Sequence, residues 1–413
     1  MTAINEQTVR AQKRALVEYF RAGSKTNGCF CPGMEVEHFL TGAGGAPITF
    51  DGVQALMRAM QKPGDTPIEI DGAYMGYYNE AFGISLEPAC QLEISIMPQR
   101  DAAALMRIYH AFRQALVPLL AARGLTIWAL GSHPTRRAET LPLIPKERYK
   151  LMDRYFKTSG RHGIHMMRAT ASTQVSVDYF SEEDFVAKYR AANLLTPMLA
   201  LLTDNTPLYE GAPNHGYSRR TVIWDDVDPA RCGVLPGLMA PDFGFDAYAE
   251  ALLRVPLIVA RHGGETMDAA GKNAAALYTA PLAREDVEHI ISMVFFDARL
   301  KNYIEMRVAD SMPEQYMAAY LALVCGIFDC RDKVDAVLHR YAGAGVADIT
   351  AAKRQMCGHG YAATVYGRPM DGEVSWLLTL AESPDNAAAL APFRGLADRK
   401  KTIRELWKGN GQG

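Results

Sequence analysis

Five glutamates in this chain recur at spacings that set carboxylates side by side. Glu35 and Glu37 stand two apart in GMEVEHFL (33–40), and Glu87 and Glu93 lie in SLEPACQLEIS (85–95) with Gln91 between them. Glu305 lies in DARLKNYIEMR (297–307), two residues before Arg307. In an extended chain, residues of one parity share a face, so each segment puts acids on one side and apolar residues on the other. RATASTQVSVD (168–178) alternates in the same way, with Gln174 on its polar side. Carboxylates brought together on neighbouring strands repel unless cations separate them. Hard oxygen ligands suit Mg2+ or Mn2+, ions that keep several waters and usually bring substrate phosphates with them. The polar faces therefore allow two readings, a solvated antiparallel sheet or a Mg-nucleotide site. Arginines could supply the other half of such a site. GYSRRTVIWDDVDPARCG (216–233) holds Arg219, Arg220 and Arg231 among turn-forming residues. Their planar forks match a carboxylate or a phosphate, or pair on the surface with Asp225, Asp226 and Asp228.

The elements that must position these residues are legible as periodicities. Helical spacing is clearest at 5–22, 101–123, 182–204, 312–342 and 386–407. Ser181 followed by Glu182, Glu183 and Asp184 is a start signal for the third, with acids at the positive end of the helix dipole. Strand signals lie between these helices, widely separated. Repeated βα alternation with a glycine fingerprint is absent, so an α+β protein with an antiparallel or mixed sheet is expected. GAGGAP (42–47) lacks the Lys-Ser/Thr of a phosphate loop. It reads as a turn joining a strand at 34–40 to one at 48–50.

With 413 residues, 49% apolar and 22% charged, the chain can bury a large core. A single catalytic body is expected, with residues 24–310 as its sheet-containing core and 311–413 as a mainly helical part. A formal charge of -2 gives no electrostatic argument for nucleic acid or an anionic membrane, so a small-molecule ligand is the default. No run approaches the ~20 apolar residues needed to span a bilayer, and the first twenty residues read as an amphipathic helix. A cytoplasmic protein is expected. The seven cysteines are scattered and read as reduced thiols; Cys29 and Cys31 lack a second pair at zinc spacing, and the ten histidines form no HExxH.

Read together, these segments resemble the glutamate-cysteine ligases of the plant and proteobacterial type. The likeness runs in consistent order from about residue 33 to about residue 310. It rests on GMEVE, SLEPACQLEIS, IPKERYKLMDRYF, MMRATASTQVSVDYFSEEDFVAKYR, DNTPLYEGAPNHGYSRRTVIWDDVDPARCGVLP, DFGFDAYAEALLRVP and FFDARLKNYIEMRVAD. The resemblance implies a glutamine-synthetase-like catalytic fold, in which a curved, mainly antiparallel sheet forms a funnel for metal ions, ATP and glutamate, surrounded by helices. It implies metal ligation by Glu35, Glu37, Glu87, Glu93 and Glu305, and a metal or nucleotide contact at Gln174. It implies that Arg220 and Arg307 hold anionic substrate and leaving phosphate. Lys146, Arg148 and Lys150 match a basic stretch, of which Lys146 and Arg148 are assigned with Gln174 to the nucleotide. The implied reaction is ATP-dependent ligation of glutamate to cysteine through an acyl phosphate, by a monomer or homodimer, with Mg2+ or Mn2+. Rival readings are a γ-glutamyl ligase with another amine acceptor, a guanidino or carboxylate phosphotransferase, and a nucleotide sensor. Four positions depart from the plant motif: Ala89 and Cys90 replace two glycines, His38 replaces a lysine, and His165 replaces an aspartate. The last two are expected to alter the pocket.

Overall fold

The computed structural model describes residues 6–26, 28–262, 265–278 and 281–409. Its centre is one nine-stranded sheet. The strands are β1 (Gly33–Thr41), β2 (Thr66–Ile70), β3 (Ala73–Tyr78), β4 (Phe82–Leu86), β5 (Leu92–Ile96), β6 (Thr126–Trp128), β7 (Thr173–Val177), β8 (Ala298–Leu300) and β9 (Ile304–Met306). Along the sheet they run β8-β9-β7-β1-β5-β4-β3-β2, with β6 on the far end of β1. Every pairing in it is antiparallel. The α+β expectation is therefore met.

Parity assigned the faces correctly. Met34, Val36, Ile84, Leu92, Ile94, Val175, Val177, Ile304 and Met306 are all buried, each worth about 1.5–3 kcal/mol of transfer out of water. Helices Ala102–Ala121, Glu182–Leu202 and Glu314–Phe328 cover strands of this sheet. One hydrophobic core runs from Leu16 to Ile403, so the helices after residue 311 share it with the sheet.

Two segments read as single strands are hairpins. Residues 85–95 turn at Glu87–Gln91, bringing Leu86 opposite Leu92 and Ser85 opposite Glu93. The turn closes through Glu87 N–H donating to Gln91 O at 3.0 Å and Cys90 N–H to Glu87 O at 3.1 Å. Cys90 adopts φ 66, the left-handed region. Glycine enters that region without strain, whereas a residue with a Cβ pays about 1–2 kcal/mol, which rationalises glycine there in the plant motif. Likewise 297–307 folds back on itself, with Arg299 opposite Glu305. The strand expected at 168–178 is confined to Thr173–Val177, because Gly163–Ala169 is helical. The expected strand at 48–50 is a helix start. Thr49 Oγ1 accepts from Gly52 N at 3.1 Å and caps Phe50–Met60, and GAGGAP is the turn before it, closed by Gly42 N–H to Ala46 O at 2.7 Å.

The expected helices appear at Glu6–Gly23, Ala102–Ala121, Glu182–Leu202 and Ala387–Arg399, and the 312–342 pattern is two helices, Glu314–Phe328 and Arg331–Arg340. Residue 5 lies outside the described residues. None of the seven cysteines, all of them among the described residues, is joined in a disulfide.

Candidate active site

The register of the sheet decides which polar side chains meet. Glu37 on β1 stands opposite Glu93 on β5, Glu35 opposite Gln174 on β7, and Ser176 on β7 opposite Glu305 on β9. Glu87 joins them from the β4–β5 turn. That turn is held in place by Gln91, whose Oε1 accepts from Ala89 N–H at 2.8 Å while its Nε2 donates to Thr170 O at 3.2 Å. Gln91 is therefore a buried structural amide, and the two glutamates flanking it face the open space.

That space is a cavity of about 250 Å³ lined by Glu35, Glu37, Glu87 and Glu93 together with Gln174, Lys146, Arg148, Arg220 and Arg307. Helix Glu147–Phe156 brings Arg148, with Lys146 at its start; Asp71, in the β2–β3 turn, anchors this end by accepting from Glu147 N–H at 2.8 Å. Arg148 donates to Ser292 Oγ at 3.1 Å and to the Ser292 carbonyl at 3.2 Å. Lys150, in contrast, is exposed and pairs with Glu147 at 3.0 Å. Residues 219–224, read from sequence as turn, form a short helix that presents Arg220 and Trp224. Arg220 Nε donates to the Arg307 carbonyl at 2.9 Å, and both guanidinium groups lie over the Trp224 ring, at 5.1 and 5.5 Å. Arg220 Nη1 is buried with no hydrogen-bond partner. A buried, unpaired guanidinium nitrogen costs free energy that an anionic ligand would recover.

The electrostatics divide the five glutamates. Glu305 is fully buried, and its carboxylate is gripped by Arg299 and Lys301 at 2.8 Å and Arg307 at 2.7 Å. Burial alone would raise its pKa, but these three cations overcome burial and hold it well below the usual range. In this structure its oxygens are engaged by Arg299, Lys301 and Arg307, an arrangement that orients the two arginines, and Glu305, expected as a metal ligand, is not among the residues that line the cavity. The other four behave oppositely. Burial and then the attraction of Lys301 and the repulsion of Glu93 and Glu305 leave Glu35 raised to about 7. Burial raises Glu37 despite Arg220. Burial and Glu37 raise Glu93, although its Oε1 accepts from Ser85 and Ser95 hydroxyls at 2.9 and 3.0 Å. Burial, Glu93 and Glu37 push Glu87 well up. None of these four carboxylates is in an ion pair among the described residues, and two of the cavity's arginines, Arg299 and Arg307, are engaged by Glu305 instead. Four acids crowded around one cavity, none of them held in an ion pair among the described residues, match the donor set of a hard divalent ion.

Gln174 sits between the two charge systems: its Oε1 accepts from Arg307 at 2.8 Å and its Nε2 donates to Glu37 Oε1 at 3.3 Å. Two expectations about the pocket are corrected. His38 is fully buried on the apolar face, with Nε2 2.7 Å from Tyr109 Oη, and burial lowers it to about 3; it is a core histidine. His165 does not line the cavity and stacks on Tyr209 instead. Arg219 and Arg231 are structural: the first donates to Asn214 Oδ1, and the second, fully buried, to Asp228 Oδ2 and the Met293 carbonyl. Tyr149, Trp224, Arg299 and the methionines 166 and 167 line the cavity without having been singled out. Arg299 shares its polar parity with Glu305, a usable signal; Trp224 is legible only once 219–224 is known to be helical.

A sequence model of the glutamate-cysteine ligase family 2 matches residues 32–396. The chloroplastic glutamate-cysteine ligase of Arabidopsis thaliana is 30% identical over 351 residues, 83% of this chain and 66% of that protein. Its Medicago truncatula counterpart is 28% identical over 354 residues, 83% of this chain and 69% of that one. The chain thus spans about two thirds of the length of these curated relatives. Among solved structures, a glutamate-cysteine ligase from Francisella tularensis, in complex with AMP, superposes with a TM-score of 0.54 at 9% identity, covering 91% of this chain and 82% of that one. That likeness is one of fold.

Proposed function

This chain belongs to the glutamate-cysteine ligase family 2, and from that premise we propose that it uses ATP to join the γ-carboxylate of L-glutamate to the amine of L-cysteine. The observation that carries the reading is the set of four unpaired glutamates, Glu35, Glu37, Glu87 and Glu93, around a cavity that also holds Arg220 and Arg307. Such a set is poorly suited to a solvated sheet face and well suited to phosphates that arrive with their cations. These four would hold Mg2+, or Mn2+ in its place, whose chemistry is to neutralise the phosphates and polarise the transferring phosphoryl group.

The chain's own residues then bind and orient. Arg220 and Arg307, braced by Trp224 and Glu305, present donors to the glutamate carboxylate and to the phosphoryl group it receives. Lys146 and Arg148 line the same cavity within electrostatic reach of Glu87 and suit the nucleotide phosphates. Gln174 couples Glu37 to Arg307, so the metal side and the anion side stay in register. In the first step a γ-carboxylate oxygen attacks the terminal phosphorus, the bond to ADP breaks, and γ-glutamyl phosphate forms. In the second the cysteine amine attacks the acyl carbon, the carbon–oxygen bond breaks, phosphate leaves, and the amine loses its proton. No protein nucleophile is required. With a formal charge of -2, nucleic acid and anionic membranes gain no electrostatic purchase. The partners proposed are therefore glutamate, cysteine and ATP, acted on by a cytoplasmic monomer or homodimer. Among the described residues no helix is long and apolar enough to cross a membrane.

The test is phosphate release by the purified protein with ATP, Mg2+, glutamate and one amine at a time. Cysteine-dependent release with amide formation supports the reading. Release with a different amine alone moves it to another γ-glutamyl ligase, and a product that retains phosphate moves it to a phosphotransferase.

A further inference from the structure

Outside the cavity, three segments bring together a histidine and two carboxylates that the proposed ligase chemistry does not use. Glu139 lies in the short turn Ala138–Thr140, His165 in the helix Gly163–Ala169, and Glu210 in the tight turn between residues 209 and 212. A ligating atom from each lies within 4.8 Å of the other two. His165 Nε2 is 3.1 Å from Glu210 Oε1. The imidazole is already held: it stacks on Tyr209 with centroids 5.6 Å apart, and the His162 ring meets it edge-on at 5.3 Å. Its other nitrogen, Nδ1, is buried with no hydrogen-bond partner. The only cation beside the two carboxylates among the described residues is Arg137, 3.8 Å from Glu139 and 4.0 Å from Glu210 and 68% exposed, a pair that an incoming ion displaces at little cost.

We infer that Glu139, His165 and Glu210 form a second metal site, distinct from the carboxylates of the cavity and selective for a nitrogen-accepting divalent ion such as Zn2+. The chemistry separates the two sites. Imidazole with two carboxylates suits Zn2+, whose bonds to nitrogen and oxygen are about 2.0–2.2 Å and which completes its shell with water. Mg2+ prefers an all-oxygen shell and leaves a histidine unligated. The exposed Glu139 needs only a small side-chain movement to close on the other two. An ion there would tie the 138–140 turn and the 209–212 turn to the helix whose Met166 and Met167 line the cavity, fixing that wall from behind. The turn and the helix already pack through Ala138, Leu141 and Ala169.

Calorimetric titration of Zn2+ into the full chain, with Mg2+ in large excess to occupy the cavity, reads the site directly. One Zn2+ per chain with micromolar or tighter affinity is expected, together with a Zn2+-dependent rise in melting temperature. Glu139→Gln, at an exposed position that the fold does not need, should weaken binding by at least about tenfold, and His165→Ala by more. Both variants should keep the Mg2+-dependent phosphate release of the wild type measured without Zn2+. A Cys29→Ser/Cys31→Ser chain should bind Zn2+ as the wild type does. Unchanged Zn2+ binding in Glu139→Gln and His165→Ala, its loss in the cysteine variant, or no Zn2+ uptake once Mg2+ is present would overturn the assignment. None of these outcomes depends on which amine the enzyme accepts.

Discussion

Glu87 and Glu305 belong to the same polar surface, yet their surroundings give opposite consequences for the same substitution. Glu87 is destabilised as an anion by burial and by Glu93 and Glu37, so Glu87→Gln removes a repelling charge. The expected result is a melting temperature equal to or above that of the wild type, with kcat reduced by at least about a hundredfold, as loss of a phosphate-side ligand implies. Glu305 instead balances Arg299, Lys301 and Arg307. Glu305→Gln strands buried positive charge and should lower the stability of the fold by about 3–5 kcal/mol in urea titration. Thermal melts and steady-state rates on the two variants check the division of roles; a stable Glu305→Gln and an unfolded Glu87→Gln would reverse it. At this scale the sequence was informative about residue type and less so about partners. The carboxylates were legible because acids on a strand parity are unusual, whereas nothing in YIEMR announced that Glu305 would be consumed by Arg299 from across a two-strand hairpin. His38 was misread for a related reason: a histidine on the apolar parity, with Val36 and Leu40, should have been assigned to the core that holds it.

Period-two alternation identified the faces of the sheet but not its strands. In both hairpins the paired residues have the same parity, Ser85 with Glu93 and Arg299 with Glu305, and paired residues share a face. A polar-apolar pattern therefore continues unbroken through such a turn, and one long strand and a hairpin look alike in sequence. The distinguishing signs were local: Pro88 after Glu87 in one, and Lys301-Asn302 in the other. The helix Arg219–Trp224 escaped for want of length, being too short to display a period. It is positioned by an element of the C-terminal part that carried no motif. Lys353, in helix Val346–His359, is fully enclosed and reaches Asp225 Oδ1 at 2.5 Å and Asp297 Oδ2 at 2.6 Å. Asp225 ends the helix that bears Arg220, and the Asp297 carbonyl accepts from Arg307 N–H at 3.1 Å. Lys353→Met should leave the buried Asp297 and the partly exposed Asp225 without their shared cation, costing about 3–5 kcal/mol in a urea midpoint assay. Because both arginines lose their brace, kcat should fall as well at temperatures where the variant is still folded; a fully active variant would detach this helix from the site.

For the whole molecule, the class of fold followed from the wide spacing of strands between helices, while the order of the strands did not. That order, β9-β7-β1-β5, is what brings the acids of β1 and of the β4–β5 hairpin together with Gln174 on β7 and Arg307 around one cavity, and it depends on long-range pairing that no local pattern encodes. The cavity also sets the pH response. Glu35, Glu37, Glu87 and Glu93 all bind protons more tightly in the folded chain than in the unfolded one, Glu35 with a value raised to about 7. Between the ordinary glutamate range and that value the folded state holds more protons, so metal-free stability should fall as pH rises from about 4.5 to about 7. Glu305, lowered instead, contributes stability that is lost only at lower pH. Mg2+ competes with those protons, so its stabilising effect should grow over the same interval, measured as the difference between melts with and without the ion. A Mg2+ effect that shrinks with pH would place the ion elsewhere. The central claim, that a glutamate carboxylate is activated by phosphorylation and then captured by an amine, is tested most directly by following oxygen. With glutamate carrying 18O in its γ-carboxylate, and ATP, Mg2+ and cysteine present, each phosphate released should contain one labelled oxygen and each amide should retain the other. Phosphate released without label, alongside amide or without it, would contradict the account.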